Sequence, residues 1–208
     1  MKKGLIYIHG KGGTPAEAEH YRPLFAGYDV VGLDYRAQTP WEAKEEFADF
    51  FAKFTAKYST VSIIANSIGA FFAMHAFADA KIEKAFFISP IVDMEKLITD
   101  MMRSIGVSEE ELRQKEVIKT AWGEDLSWNY LLWVRKHQLV WKIPTYILCG
   151  SNDNLQSTDT IRSFADKIGA EVTVMTNGEH WFHTNEQMQF LDNWLGNILS
   201  KQTKRTSY

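Results

Sequence analysis

The stretch "VSIIANSIGA", residues 61–70, runs from a mostly apolar segment into a serine flanked two positions away on either side by Ala65 and Gly69. A short, nearly continuous apolar run of this kind reads as a strand buried on both faces. Residues 68–80, which follow, carry a helical pattern. Ser67 therefore sits where a strand turns sharply into a helix. A serine held in such a turn projects its hydroxyl, and its neighbours must be small because strand and helix approach closely. The usual pattern is G-x-S-x-G, and here alanine stands in the first glycine position, adding one methyl. A serine at a strand–helix turn also has a purely structural reading, so what Ser67 does depends on what the rest of the chain supplies.

Five further β-type runs surround it: "LIYIH" (5–9), "DVVGLD" (29–34), "KAFFIS" (84–89), "TYILCG" (145–150) and "EVTVMT" (171–176). Helical patterns alternate with them at 16–26, 41–57, 158–168 and 185–199. The first is opened by Thr14 as N-cap and Pro15 at the first helical position. The second carries Phe47, Phe50, Phe51 and Phe54 at spacings of three and four, an amphipathic stripe. Strand–helix alternation with short loops predicts an α/β fold: a three-layer αβα sandwich around a mostly parallel six-stranded sheet, in a single domain spanning 1–208.

Residues 91–143 break this rhythm. They separate two strands and contain helical patterns at 94–103, 108–120 and 127–138, with Asp93 and Ser108 as caps. An excursion of this length in a compact α/β domain is expected to be a lid or functional insertion. It holds four of the seven tryptophans, Trp122, Trp128, Trp133 and Trp141. They either pack the insertion or line an apolar substrate pocket, for which Trp122, Trp128 and Trp133 are the candidates, together with Trp181 further on.

In an open parallel sheet, function sits in loops at the carboxyl ends of the strands. After "TYILCG" comes "SNDNLQS", with Asp153 three residues past the strand. Asp159 is a weaker candidate, since it reads as an early helical residue. After "EVTVMT" comes "NGEHWFHT", which offers two histidines, His180 and His183. Serine, aspartate and histidine thus follow three different strands in the chain order Ser…Asp…His. In that constellation the serine attacks, the imidazole takes its proton, and the aspartate fixes the tautomer and stabilises the imidazolium.

The loop after the first strand, "HGKGGTP" (9–15), is glycine-rich and raises the question of what negative charge it faces. Phosphate fingerprints fail. A dinucleotide G-x-G-x-x-G would need glycine where Pro15 stands, and no Ser or Thr follows Lys11 as a P-loop requires. His9 is expected to hold the loop by a local hydrogen bond.

On "HGKGG", "ANSIGA", "GSNDN" and "NGEHWF", the chain resembles the α/β-hydrolase superfamily over essentially its whole length, from Gly4 to about Leu199. Residues 91–143 fall where that family places a helical cap. The N-terminal antiparallel hairpin common in the family is missing, which makes this a short version. The resemblance implies an ester- or thioester-cleaving serine hydrolase working through an acyl-enzyme. Ser67 is then the nucleophile, His180 (the histidine of a G-x-H turn) the base, and Asp153 the acid. The backbone N–H groups of Lys11 and Ile68 form the oxyanion hole. No cofactor or metal is implied. The same triad also serves amidases, lactonases and C–C hydrolases, and the fold also hosts ligand-binding proteins without catalysis.

Bulk properties agree with a small-molecule substrate. A net charge of −3 lacks the basic footprint of a nucleic-acid binder. No apolar stretch approaches a membrane span, and the N-terminus is too short in apolar residues for a signal peptide. With one cysteine, Cys149, in a strand-like run, the expectation is a cytoplasmic protein with a core thiol. Oligomeric state is not legible. A histidine base predicts activity that rises with pH through roughly 6–7, where an imidazole ordinarily loses its proton. A pH–rate profile of ester hydrolysis checks this, and a flat profile from about pH 5 to 8 contradicts it.

Overall fold

The computed structural model describes residues 2–121 and 123–205. In chain order the strands are β1 (Lys3–Ile8), β2 (Tyr28–Gly32), β3 (Thr60–Asn66), β4 (Ala85–Ile88), β5 (Val117–Ile118), β6 (Leu126–Ser127), β7 (Thr145–Gly150) and β8 (Glu171–Met175). The α-helices are α1 (Ala18–Tyr21), α2 (Pro40–Thr55), α3 (Ile68–Ala76), α4 (Met94–Ser104), α5 (Glu109–Lys115), α6 (Trp128–Lys136), α7 (Thr158–Ile168) and α8 (Asn185–Arg205). The chain forms two compact units, one from residues 1–92 and 141–208, the other from Asp93–Val140.

In the first unit six strands form one parallel sheet in the order β2-β1-β3-β4-β7-β8. These are the six runs read from the sequence, and their buried, non-alternating character has the expected cause: helices cover both faces. Leu5, Tyr7, Ile64, Phe86, Ile88 and Leu148 pack on one face with Tyr21, Phe25, Trp194 and Leu195 from around α1 and α8. Their strand neighbours Ile6, Ile63, Ala65 and Phe87 point the other way and are fully buried. There Phe87 meets Trp141, and α2 packs on α3 through Phe47 and Phe51 against Phe77.

Helix starts follow local chemistry. Thr39 accepts the Glu42 N–H while the Glu42 carboxylate accepts the Thr39 N–H, with Pro40 in the first turn of α2. Ser157 opens α7, and Gly169 closes it at φ 71°. Two expectations are corrected. The helix expected over 16–26 is a 3₁₀ turn at Pro15–Glu17 followed by one turn of α-helix that ends at Tyr21. Arg22 keeps helical backbone at φ −55° and ψ −47°, but Pro23 has no N–H to donate to the preceding turn, so the helical bonding stops there. The helix expected over 108–120 ends at Lys115, where Glu116 takes φ 59° and the β-branched Val117 and Ile118 pair with β6.

The second unit holds α4, α5, the β5–β6 pair and α6. Arg135 on α6 ties it together, donating to Glu95 at 2.7 Å and to both oxygens of Glu109 at 2.8 and 2.6 Å.

The loops after β7 and β8 are laced together. Ser151 N–H donates to the Met175 carbonyl at 2.9 Å, Asn152 N–H to Gly178 at 2.8 Å, and Asn177 N–H to Ser151 Oγ at 2.8 Å. Gly150 permits this approach: a Cβ there would stand 2.1 Å from the Gly178 carbonyl oxygen. Because that neighbour is backbone, Gly150→Ala is expected to cost about 1–3 kcal/mol, read as a lower urea midpoint at unchanged m-value.

Candidate active site

Register places the site. Ile88 in β4 is aligned with Asn66 in β3 and Leu148 in β7, so the chain leaves all three strands at one edge of the sheet. Ser67 is the first residue past β3, at φ 51° and ψ −123°. It precedes α3 as an N-cap, yet its hydroxyl makes no capping bond, which leaves the Oγ available for a different partner. Its backbone is pinned: Ser67 N–H donates to Ile88 O at 3.0 Å, and its carbonyl accepts from Ala70 N–H at 3.1 Å and Ile91 N–H at 3.2 Å. Gly69 is required by close approach, since a Cβ would fall 2.3 Å from the His9 carbonyl oxygen.

Ser67 Oγ lies 2.8 Å from His180 Nε2, and His180 Nδ1 lies 2.7 Å from Asp153 Oδ2. A carboxylate can only accept, so Nδ1 carries the proton and Nε2 is the acceptor for the Ser67 hydroxyl. The other carboxylate oxygen, Oδ1, accepts from the backbone N–H of Leu155 at 2.8 Å and of Gln156 at 3.0 Å. The Asp153 side chain is 1% exposed and that of His180 15%. The result is a hydrogen-bonded chain from a buried carboxylate to a hydroxyl, capable of drawing a proton from that hydroxyl. His183 does not join it. Its Nδ1 sits 2.8 Å from the Trp181 carbonyl, and its ring stacks on Trp181.

The loop after β1 passes beside the serine, close enough that a Cβ on Gly10 would stand 3.2 Å from Ser67 Cβ. His9 holds this loop, its Nδ1 2.8 Å from Gly10 O and its ring stacked on Tyr35 at 4.2 Å. Tyr35 Oη donates to the His9 carbonyl at 2.7 Å. Gly13 N–H closes a turn onto Gly10 O, and Thr14 N–H donates to Glu17.

The sequence reading missed the polar residues behind the loop. Tyr7 Oη donates to the Glu17 carboxylate and accepts from Asn66 Nδ2 at 2.9 Å. Burial first, then neighbouring Tyr21 and Glu17, push the Tyr7 phenol far above its usual range, so it stays a donor. Tyr7 thus links the loop after β1 to the residue just before Ser67. No sequence signal marks it, because in a buried strand a tyrosine reads as one more core aromatic.

Trp122 lies outside the described residues. Trp128 and Trp133 are on α6 in the second unit, Trp133 stacked on His137 at 4.2 Å. Trp181 is 72% exposed. Trp141 is a core residue, its Nε1 donating to Thr145 Oγ1 at 2.8 Å. A cavity of about 360 Å³ between β8 and α8, walled by Tyr146, Phe190, Trp194 and Ile198, includes none of the residues Ser67, Asp153 and His180. No helix among the described residues is long and apolar enough to cross a membrane, and none of their His, Cys, Asp and Glu side chains cluster as a metal site.

No family profile and no curated protein sequence matches the chain. Solved structures do. Est1E from Butyrivibrio proteoclasticus, in a form with ferulic acid bound, superposes with TM-score 0.73 at 14% identity, over 97% of this chain and 90% of that one. The alpha/beta hydrolase domain-containing protein 10 from mouse gives 0.73 at 16% identity, over 96% and 90% of the two chains. An esterase from Pyrococcus furiosus gives 0.64 at 18% identity, over 98% and 82%. The chain has the α/β-hydrolase fold.

Cys149 immediately precedes Gly150 and is fully buried. Burial, and secondarily the charge of Asp153, push its thiol up to about 11. It is therefore expected to resist a disulfide reagent such as DTNB at pH 8 in the folded protein and to react once the protein is unfolded in guanidinium. Stoichiometric labelling without unfolding contradicts this.

Proposed function

We propose that the protein is a serine hydrolase that cleaves a carboxylic ester or thioester through an acyl-enzyme. The observation that carries this reading is the continuous contact Ser67 Oγ–His180 Nε2, His180 Nδ1–Asp153 Oδ2, at 2.8 and 2.7 Å. Ser67 Oγ attacks the carbonyl carbon as His180 accepts its proton, and Asp153 holds the imidazole and stabilises the imidazolium. His180 then returns the proton to the departing alcohol or thiol, leaving the acyl group on Ser67. Water, activated by the same imidazole, releases the acid and restores the serine.

The tetrahedral intermediate carries an oxyanion that needs donors already in place. Ile68 is the first residue of α3, where an amide has no intrahelical acceptor. Lys11 follows Gly10 in the loop that passes Ser67. The backbone N–H groups of these two residues are assigned as the oxyanion hole. The fold shared with an esterase supports the choice of bond.

Turnover of p-nitrophenyl acetate and labelling by a fluorophosphonate probe test the reading. Ser67→Ala is expected to abolish labelling and lower kcat by roughly 10⁴-fold or more, and Asp153→Asn by about 10⁴-fold with the fold intact. A Ser67→Ala protein that keeps wild-type turnover, or a wild-type protein that is never labelled, overturns the assignment.

A further inference from the structure

The chain leaves β4 at Ile88 and reaches the second unit at Asp93 through four residues, Ser89, Pro90, Ile91 and Val92. This strap is buried along its length, with Ser89 and Ile91 each 1% exposed. It is also constrained: Ser89 takes φ 44°, a region that costs an L-residue free energy and persists only when the surroundings impose it.

Two consecutive amides of the strap reach the site. Ile91 N–H donates to the carbonyl of Ser67 at 3.2 Å. Val92 N–H donates to the side-chain Oε1 of Gln156 at 3.1 Å. Gln156 is 2% exposed, and its own backbone N–H donates to Asp153 Oδ1 at 3.0 Å. Its Nε2 donates to the carbonyl of Leu155 at 2.9 Å, and the Leu155 N–H bonds the same Asp153 oxygen at 2.8 Å. One residue therefore holds the acid with its main chain and the strap with its side chain, while the strap's preceding residue holds the nucleophile.

A carboxamide is a costly group to bury, and costlier still when left unbonded. An apolar side chain of the same length would fill the space without that liability. The amide is explained by what it joins: the turn carrying Asp153 and the strap bonded to Ser67, two loops that follow different strands and whose spacing determines whether His180 can reach both partners.

The geometry points to Gln156 as a positioning residue that fixes the Asp153 loop relative to Ser67 through the strap 89–92. It acts through Asp153 and does not itself touch substrate. Its effect on turnover rests on the hydrolase reading above; its effect on the Asp153–His180 contact does not.

Gln156→Met keeps the length and removes the carboxamide. With thermal unfolding as the control for the fold, kcat on p-nitrophenyl acetate is expected to fall about tenfold or more, since small misplacements of catalytic groups are costly. KM is expected to stay within about two-fold. The far-downfield proton resonance of His180 Nδ1–H, a direct reporter of its bond to Asp153, is expected to broaden or move upfield. Turnover within about two-fold of wild type with that resonance unchanged overturns the proposal.

Hydrogen exchange of the wild-type protein gives a second test that needs no variant. The amides of Val92, Leu155 and Gln156 should open as one unit with a common protection factor. Independent exchange of Val92 overturns the proposal, even if Gln156→Met does not fold. A wild-type protein without esterase turnover defeats the hydrolase reading alone, because the resonance and the exchange pattern still decide the role of Gln156.

Discussion

Ser67 holds its backbone at φ 51° and ψ −123°, and the rest of the site is arranged around keeping it there. Such a conformation costs an L-residue on the order of 1–3 kcal/mol. It is offset by bonds to the end of β4 and the segment after it, Ile88 accepting from the serine and Ile91 donating to it. The same turn brings Gly69 against the end of β1, where only hydrogen fits. Strain, the missing Cβ and the uncapped hydroxyl are one feature: α3 begins at a serine whose side chain is directed to His180 rather than to the helix's own amides.

The parallel sheet makes the meeting of Ser67, Asp153 and His180 a matter of topology. β3 and β7 both flank β4, and β8 flanks β7, so the loops after β3, β7 and β8 emerge at one edge. Lacing between the Asp153 loop and the His180 loop then removes the freedom that separate loops would have. The imidazole is bonded at both nitrogens, which fixes its orientation between Asp153 and Ser67.

The strands were legible because burial on both faces leaves an unbroken apolar run, as in "LIYI" and "YILC". Ser67, Asp153 and His180 were legible because chain order and strand ends are local features. Two kinds of feature were not. The short α1 and the β5–β6 pair depend on single residues, Pro23 and Glu116, that override a longer helical pattern. The polar bonds of Tyr7 and Gln156 join segments far apart in sequence: Tyr7 to Asn66 across 59 positions, Gln156 to Val92 across 64. Nothing in one segment announces the other. His180 and His183 were separated only by geometry, since both occupy the same short loop.

The glycine-rich loop "HGKGGTP" poses the remaining question of what charge it faces, and its internal bonds bear on the answer. A phosphate cradle needs several converging backbone N–H groups. Here Gly13 N–H is committed to Gly10 O and Thr14 N–H to Glu17. The Glu17 carboxylate also crowds the loop, for a Cβ on Gly13 would stand 2.8 Å from its Oε1. A permanent anion bound at that end would meet both spent donors and a like charge. The opposite end, at Gly10, lies beside Ser67. On the proposed hydrolase reading, that placement suits a negative charge that forms on a substrate oxygen during attack and is gone when the reaction is complete. The tyrosine that anchors Glu17 also bonds Asn66, so this loop and the residue preceding Ser67 share one buried hydroxyl.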